Sequence, residues 1–371
     1  MDSVGNVIAV GLGAARIAAE LGAHRDEYVI RVILQRAATG VAFSEGSTYY
    51  GSAASCAIAA ESGALFCRRR PVAADTAPLF TEMSNHPGVP LRTAHVSQGT
   101  QCALSPVGRI YCWGSTEDFL LGFRAPPTSV IGEAVRTDLR FSAFALGGHS
   151  TMCGIRADDS VLYCWGHNDR NQVGREPTSG TDTVIGPVTG ELRARAVSVA
   201  NFRTCALDLD GAPWCWGGNG ARWLGVSVIT GLVPTPRRVF GSHTFASISV
   251  AEVHQCALTA AGEAYCWGRN EQGQLGNGTG FDPANVEPQR VAGDLRFSVV
   301  ATRGFLNATC GLTTGNDLYC WGAFAPWAVS SRLGERRAAP FHLFPGQKFR
   351  ALSPVLDGMC GVTFDETILC W

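Results

Sequence analysis

Cys256–Gly280 reads CALTAAGEAYCWGRNEQGQLGNGTG. It is an apolar run, a turn, a second apolar run and a glycine-rich loop. Gly262 sits mid-turn, where a hairpin needs a residue tolerant of positive φ. The same string returns as CALSPVGRIYCWG from Cys102, CGIRADDSVLYCWG from Cys153, CALDLDGAPWCWGGNG from Cys205 and CGLTTGNDLYCWG from Cys310. The 14 cysteines fall into seven pairs: Cys56/Cys67, Cys102/Cys112, Cys153/Cys164, Cys205/Cys215, Cys256/Cys266, Cys310/Cys320 and Cys360/Cys370. The step within a pair is 10 or 11 residues, and about 50 residues separate successive first members. A period of that size marks a solenoid, propeller or array. It replaces the two or three domains that 371 residues would otherwise suggest.

Folding Cys102–Cys112 about Val107 sets Cys102 opposite Cys112, Ala103 opposite Tyr111 and Leu104 opposite Ile110. Directly opposed Cα atoms in an antiparallel pair lie about 4.5–5.5 Å apart, within disulfide reach. The spacing therefore favours seven disulfides, with buried unpaired thiols as the alternative. In the chain-entropy account each bridge adds roughly 2.5–3 kcal/mol. The 11-residue steps need a bulge or a longer turn. Strand-like runs precede the first cysteines, at Phe43–Tyr50, Phe141–Gly147, Ala196–Ala200, Phe245–Ala251 and Phe297–Thr302, and a short strand such as Pro288–Val291 follows the glycine-rich loop. About four strands per repeat is the content of a propeller blade. Sheets covered on both faces explain why CAL and YCW do not alternate apolar with polar.

The string "CAL…G…YCWG-N—GQLG-G", nearest to ideal at Cys256–Gly278 and weaker at His167–Gly174 and Trp223–Gly225, resembles the regulator-of-chromosome-condensation repeat family. The resemblance covers roughly residues 42–371 and implies an all-β, seven-bladed propeller. Members include an exchanger of guanine nucleotide on a nuclear GTPase, inhibitors of secreted β-lactamases and a light sensor. No partner-binding residues match position by position, so the family's fold carries over without its tasks.

Two departures shape the expected ends. Cys67 is followed by Arg68, Arg69 and Arg70 instead of Trp-Gly, and the last repeat stops at Trp371. A blade ending there lacks its outer strand, so residues 28–34 (YVIRVIL) are expected to pair beside Leu369–Trp371; a fragmentary chain is the rival explanation. Residues 1–41 then form an N-terminal lead with a helix over about 14–21, stopped at Gly22, and residues 42–371 form the propeller.

Disulfides persist in oxidising compartments, which places the protein outside the cytoplasm: extracellular, periplasmic or on the cell surface. No convincing signal peptide supports this, since Asp2 and no Lys or Arg precedes the apolar run Val7–Ala15. A mis-called start or a cytoplasmic protein with reduced cysteines is the alternative. No run reaches the length of a membrane span. Lys348 is the single lysine among 30 basic residues, a bias of GC-rich bacterial genomes. A net charge of −1 argues against nucleic acid as partner.

No metal or cofactor site is expected. Zinc needs ligands two to four residues apart, and no Cys-x-x-Cys redox pair occurs. Asp208-Leu209-Asp210-Gly211 resembles a calcium loop but lacks its distant Glu, and Asp-Gly suits a hairpin turn. Gly11-Leu12-Gly13 lacks the third glycine of a dinucleotide fingerprint, and no nucleophile elbow is present. Trp113, Trp165, Trp216, Trp267, Trp321 and Trp371 follow the second cysteines and are expected to pack between blades. Trp223 and Trp327 fall outside that register and are candidate surface anchors. The loops before the first cysteines vary most, and recognition lives in variable loops on a fixed scaffold. There Phe202, His254, Phe305 and Leu306 are the candidate contacts. The expected function is non-catalytic protein binding by a monomeric, exported scaffold. The alternatives are nucleotide exchange on a small GTPase, or an enzyme with a central funnel site.

Overall fold

The computed structural model describes residues 9–10, 16–21, 30–35, 56–58, 65–68, 80–82 and most of 88–370. Within the last span, residues 98–99, 115–128, 136, 149–150, 177–179, 229–230, 280–283, 303–306, 324–335, 356–357 and 365–366 are outside it. The protein is an all-β propeller. Its described helical content is small, as in the 3-10 turn Gly220–Arg222.

Each well-described repeat makes one antiparallel sheet in chain order. One such sheet is Ala194–Val199, Arg203–Asp208, Pro213–Gly218 and Leu232–Arg238. The next is Ser247–Val250, His254–Leu258, Ala264–Arg269 and Ala284–Arg290. The hairpin register follows the cysteines. Cys102 faces Cys112, Ala103 faces Tyr111 and Leu104 faces Ile110. Cys205 faces Cys215, and Cys256 faces Cys266. Five pairs are disulfide-bonded with Cα atoms 4.0–4.1 Å apart: Cys102–Cys112, Cys153–Cys164, Cys205–Cys215, Cys256–Cys266 and Cys310–Cys320. Cys56 also faces Cys67, and Cys360 faces Cys370. The extra residue of the Cys153–Cys164 step is taken up in the turn, where Ser160 adopts a φ of 64°.

The first strand of each repeat lies innermost, against the first strand of the next. Val250 N donates to Ser198 Oγ (3.1 Å), and Thr302 N donates to Ser249 Oγ (3.0 Å). Between sheets the core is built on the tryptophans after the second cysteines. Trp165, Trp216, Trp267 and Trp321 are fully buried. The side chains of Trp113 and Trp371 lie outside the described residues.

Two glycines of the motif are steric requirements. The glycine of Cys-Trp-Gly has positive φ at Gly166, Gly217, Gly268 and Gly322, +108° at Gly268, where an added Cβ would lie 2.6 Å from Val253 O. The glycine closing the next loop lets the following repeat's tryptophan approach edge-on. A Cβ on Gly174 would meet Trp216 Nε1 at 2.6 Å, and one on Gly276 would meet Trp321 Cδ1 at 2.6 Å.

Two expectations change. Residues 16–21 form a strand, Arg16–Leu21, instead of the expected helix over about 14–21, and they pair with Ile30–Gln35 from Ile17↔Leu34 to Leu21↔Ile30. A lone helix of two turns is marginal in water, whereas a neighbouring sheet edge offers every backbone group a partner. Gly22, the expected helix stop, is outside the described residues. The sheets also do not separate into seven four-stranded units. Hydrogen bonding gives four four-stranded sheets, one three-stranded sheet and one nine-stranded sheet. The 20-residue strand Arg336–Val355 causes the merger, because it pairs with Asp317–Ala323 at one end and Gly358–Thr363 at the other. In the same sheet Ile30–Gln35, within the run expected to close the ring, pairs with Thr367–Cys370 through Thr367↔Ile33 and Ile368↔Val32.

Candidate functional site

In the repeats whose loops are described, the loop between the first and second strands and the loop after the third strand emerge at one rim. The hairpin tips, such as Val107 and Leu209, emerge at the other. Both tips are exposed. On the first rim the loop after the third strand has a fixed plan. An asparagine amide oxygen caps it: Asn168 accepts from Val173 N (3.0 Å), Asn219 from Leu224 N (3.0 Å) and Asn270 from Leu275 N (3.1 Å). Its glutamine then seals the loop onto the next sheet. Gln172 O accepts from Thr204 Oγ1 (2.8 Å) and Trp216 Nε1 (2.9 Å). Gln274 O accepts from Thr309 Oγ1 (2.9 Å) and Trp321 Nε1 (3.0 Å).

The junction between residues 194–238 and 247–290 breaks this plan. Trp223 occupies the position of Gln172 and Gln274, and Gln255 that of Thr204 and Thr309. Trp267 Nε1 shifts by one residue, to Leu224 O (3.1 Å). Arg222 holds a φ of 64° where the equivalents are Asn171 and Gly273, residue types that adopt positive φ more readily. Trp223 is part-exposed and lies between two guanidiniums: Arg203 Cζ is 5.4 Å from the ring centroid and Arg269 Cζ 5.9 Å, within cation–π range. Arg269 is ion-paired with Glu271. Arg203 is buried, and its Nε and Nη1 have no hydrogen-bond partner. Burial pulls its pKa down to about 10, against the opposing pull of Glu252. Glu252 accepts a hydrogen bond from Asn201 Nδ2, and burial raises its pKa despite Arg203.

The candidate contacts separate. Trp223 is at this junction. Phe202 is half-buried on the same rim, with Arg170 Cζ 6.0 Å from its ring. His254 is not an exposed contact. It is fully buried, with Nε2 2.8 Å from Thr309 Oγ1. Since the Thr309 hydroxyl already donates to Gln274 O, His254 Nε2–H is the donor and Nδ1 the unprotonated nitrogen. Phe305, Leu306 and Trp327 lie outside the described residues. Arg203 went unremarked in the sequence, although its equivalents Thr100, Thr151, His254 and Ala308 made it an outlier. The Asp208 turn is structural. Asp208 Oδ1 accepts from Ala212 N (2.8 Å) and Oδ2 from Trp214 Nε1 (2.9 Å), so both oxygens are engaged within the hairpin.

Burial, then the Arg203 charge, push the His254 pKa down to about 3. The unfolded chain takes up that proton near pH 6.5 and the folded protein does not, so this share of stability is whole above pH 6.5 and drains as pH falls towards 3. Between pH 7 and 5 the loss from this group is about 2 kcal/mol. Unfolding free energies from urea titrations at the two pH values are expected to diverge by that much more for the native protein than for His254→Thr, which takes the residue of Thr151. Equal divergence would refute the assignment.

The regulator of chromosome condensation (RCC1) repeat family matches residues 261–311, across the Gly262 turn, the Trp267 seal and the start of the next repeat. Over that stretch the chain carries an RCC1 repeat. The mitochondrial RCC1 domain-containing protein RUG3 of Arabidopsis thaliana is 26% identical over 255 residues, 66% of this chain and 55% of that protein. The ultraviolet-B receptor UVR8 of the same plant is 28% identical over 263 residues, again 66% and 55%. The matched part thus spans about half the length of these relatives. Yeast RCC1 (Prp20), in a structure bound to Kap60, superposes with a TM-score of 0.70 at 16% identity, covering 94% of this chain and 81% of that one. Human WBSCR16 superposes at 0.69 and 12% identity, covering 99% and 94%. At these identities the structural likeness speaks for the fold alone. Among the described residues, no helix is long and apolar enough to cross a membrane.

Proposed function

We propose that this RCC1-repeat chain is a non-catalytic, protein-binding scaffold, and that the rim carrying Phe202, Trp223 and the loops before the first cysteines is its binding face. The observation that carries the reading is the contrast within each repeat. Hairpins keep one register and one cysteine pairing throughout, while the rim loops change residue by residue, most sharply at Arg203, Trp223, Glu252 and Gln255. A rigid frame with divergent loops is how folds of many uses carry recognition. Prp20p of Saccharomyces cerevisiae, described with binding properties to Gsp1p and histones, supports protein partners in this fold.

We also propose seven blades. The nine-stranded sheet divides at Arg336–Val355 into a unit with residues 297–323 and a unit completed by Ile30–Gln35. The protein is further proposed to be exported or displayed at the cell surface, because its cysteines sit opposed in every described hairpin and disulfides persist in oxidising compartments.

Photo-cross-linking in the source cell tests the binding face. A photoreactive residue at Phe202 is expected to give discrete protein adducts, and one at Leu209 on the opposite rim is not. Adducts from Leu209 alone, or from neither, would overturn it. Alkylation of freshly isolated protein, read by mass with and without reductant, tests the compartment: 14 thiols free before reduction would refute export.

A further inference from the structure

The broken junction is a concentration of unmet polar groups. Among the described residues, nine buried side-chain nitrogen and oxygen atoms lack a hydrogen-bond partner. Six of them belong to Arg203, Trp223, His254 and Gln255. Such atoms cost about 1–3 kcal/mol each, more for a charged group, and native proteins retain few of them. Here they gather where the repeat's usual seal is missing, so the deficit comes from specific substitutions and not from poor packing of the fold.

Donors outnumber acceptors in the deficit. Arg203 Nε and Nη1, Trp223 Nε1 and Gln255 Nε2 are donors; His254 Nδ1 and Gln255 Oε1 are acceptors. Among the described residues no carboxylate makes a close ion pair with the guanidinium, and Glu252 acts on it only through its charge at longer range. Of the nearby acids, Glu271 is engaged with Arg269, Asp169 pairs with His167 (2.9 Å), and Glu252 is held by Asn201. Arg170 and Arg222 add exposed positive charge beside the site. Because Trp223 is part-exposed while Arg203, His254 and Gln255 are buried, an approaching ligand meets the indole first and the guanidinium behind it.

We propose that the junction formed by Arg203, Trp223 and Gln255 binds an acidic peptide segment of a partner protein, with a carboxylate against the Arg203 guanidinium. A carboxylate answers the surplus of donors, while the fully buried His254 and Gln255 line the floor behind it. Trp223 provides the apolar edge and shields the ion pair from water, which strengthens it. The site rests on the protein-binding reading above and names what that rim recognises.

The test is fluorescence anisotropy on the full chain with a labelled ten-residue peptide of alternating Glu and Gly. The same peptide with Gln for Glu, and a pentameric oligouridylate, are the controls. The acidic peptide is expected to bind at least about tenfold more tightly than the neutral one, weakening with salt. Arg203→Thr, the residue of Thr151, is expected to cost about 10- to 100-fold, the range for a charge-assisted hydrogen bond. The pair Trp223→Gln with Gln255→Thr rebuilds the seal seen at Gln172 and Thr204. It is expected to abolish binding while the thermal midpoint holds or rises, which separates loss of the site from loss of the fold. Equal binding of the neutral peptide, tighter binding of the oligouridylate, or indifference to both variants would overturn the proposal. Rim cross-links persisting after such a result would leave the protein-binding reading standing and remove only the acidic-peptide assignment; absent cross-links would remove the reading itself.

Discussion

Trp216→Ala is expected to cost about 4–6 kcal/mol of folding stability. The indole is fully buried between two sheets, within the cluster of Val173, Leu207, Leu224 and Val233. Truncating a buried Trp or Phe to Ala costs about 3–5 kcal/mol through lost transfer energy and the cavity left behind. Relaxation cannot close the gap easily, because the backbone at Gly174 already lies against the ring and both sheets are pinned by disulfides. The indole N–H also donates to Gln172 O, worth about 1 kcal/mol, although that carbonyl keeps the Thr204 hydroxyl as a second donor. Native domains hold only about 5–15 kcal/mol in total, so the variant sits at the edge of folding. Urea denaturation followed by circular dichroism measures the loss. Trp216→Phe keeps most of the volume and is expected to lose less than half as much. A loss below about 1 kcal/mol for the alanine variant would show that the tryptophan does not hold the sheets together.

Val32→Pro is expected to cost about 3 kcal/mol or more. Val32 lies in a strand with neighbours on both sides, opposite Ala19 in Arg16–Leu21 and opposite Ile368 in Thr367–Cys370. Proline cannot donate to a ladder and is excluded from central strands. The damage reaches beyond one hydrogen bond, because residues 30–35 join the two ends of the chain. Releasing them exposes the edge of Thr367–Cys370, and unpaired edges invite aggregation. The expected result is a lower urea midpoint together with earlier proteolytic cleavage near the carboxyl terminus. Val32→Thr, which keeps the N–H and the branched side chain, serves as the control. Unchanged stability of the proline variant would mean that this pairing does not close the ring.

Much of the fold is legible before any coordinates. The ten-residue step between cysteines, with a glycine near its middle, defines a hairpin and its register, and Cys102↔Cys112 with Ala103↔Tyr111 follows from it. The tryptophans repeat at one position and are buried wherever described. The misread element was residues 16–21. Ala18, Ala19 and Leu21 have helical propensity, but propensity is a weak prior beside a sheet edge. The candidate site was half legible. Trp223 stood out as a tryptophan in the wrong register. Arg203 did not, because an arginine before a strand looks like an ordinary surface residue until it is found buried. His254 misled in the opposite sense: a histidine in a loop suggests an exposed contact, yet its equivalents face inward.

What the amino-acid sequence determined by itself is the repeat: its length, its hairpin, its cysteine pairing and its glycines. These depend on contacts within about a dozen residues, where chain connectivity leaves few alternatives. What only the tertiary structure decided is the junction between repeats. Gln172 reaches Thr204 and Trp216 across 32 and 44 residues, and Trp223 is met by Arg203 and Arg269 from two different sheets. Those contacts depend on how one twisted sheet packs on the next, which no local pattern encodes. The packing turns four scattered substitutions into one buried, unsatisfied cluster.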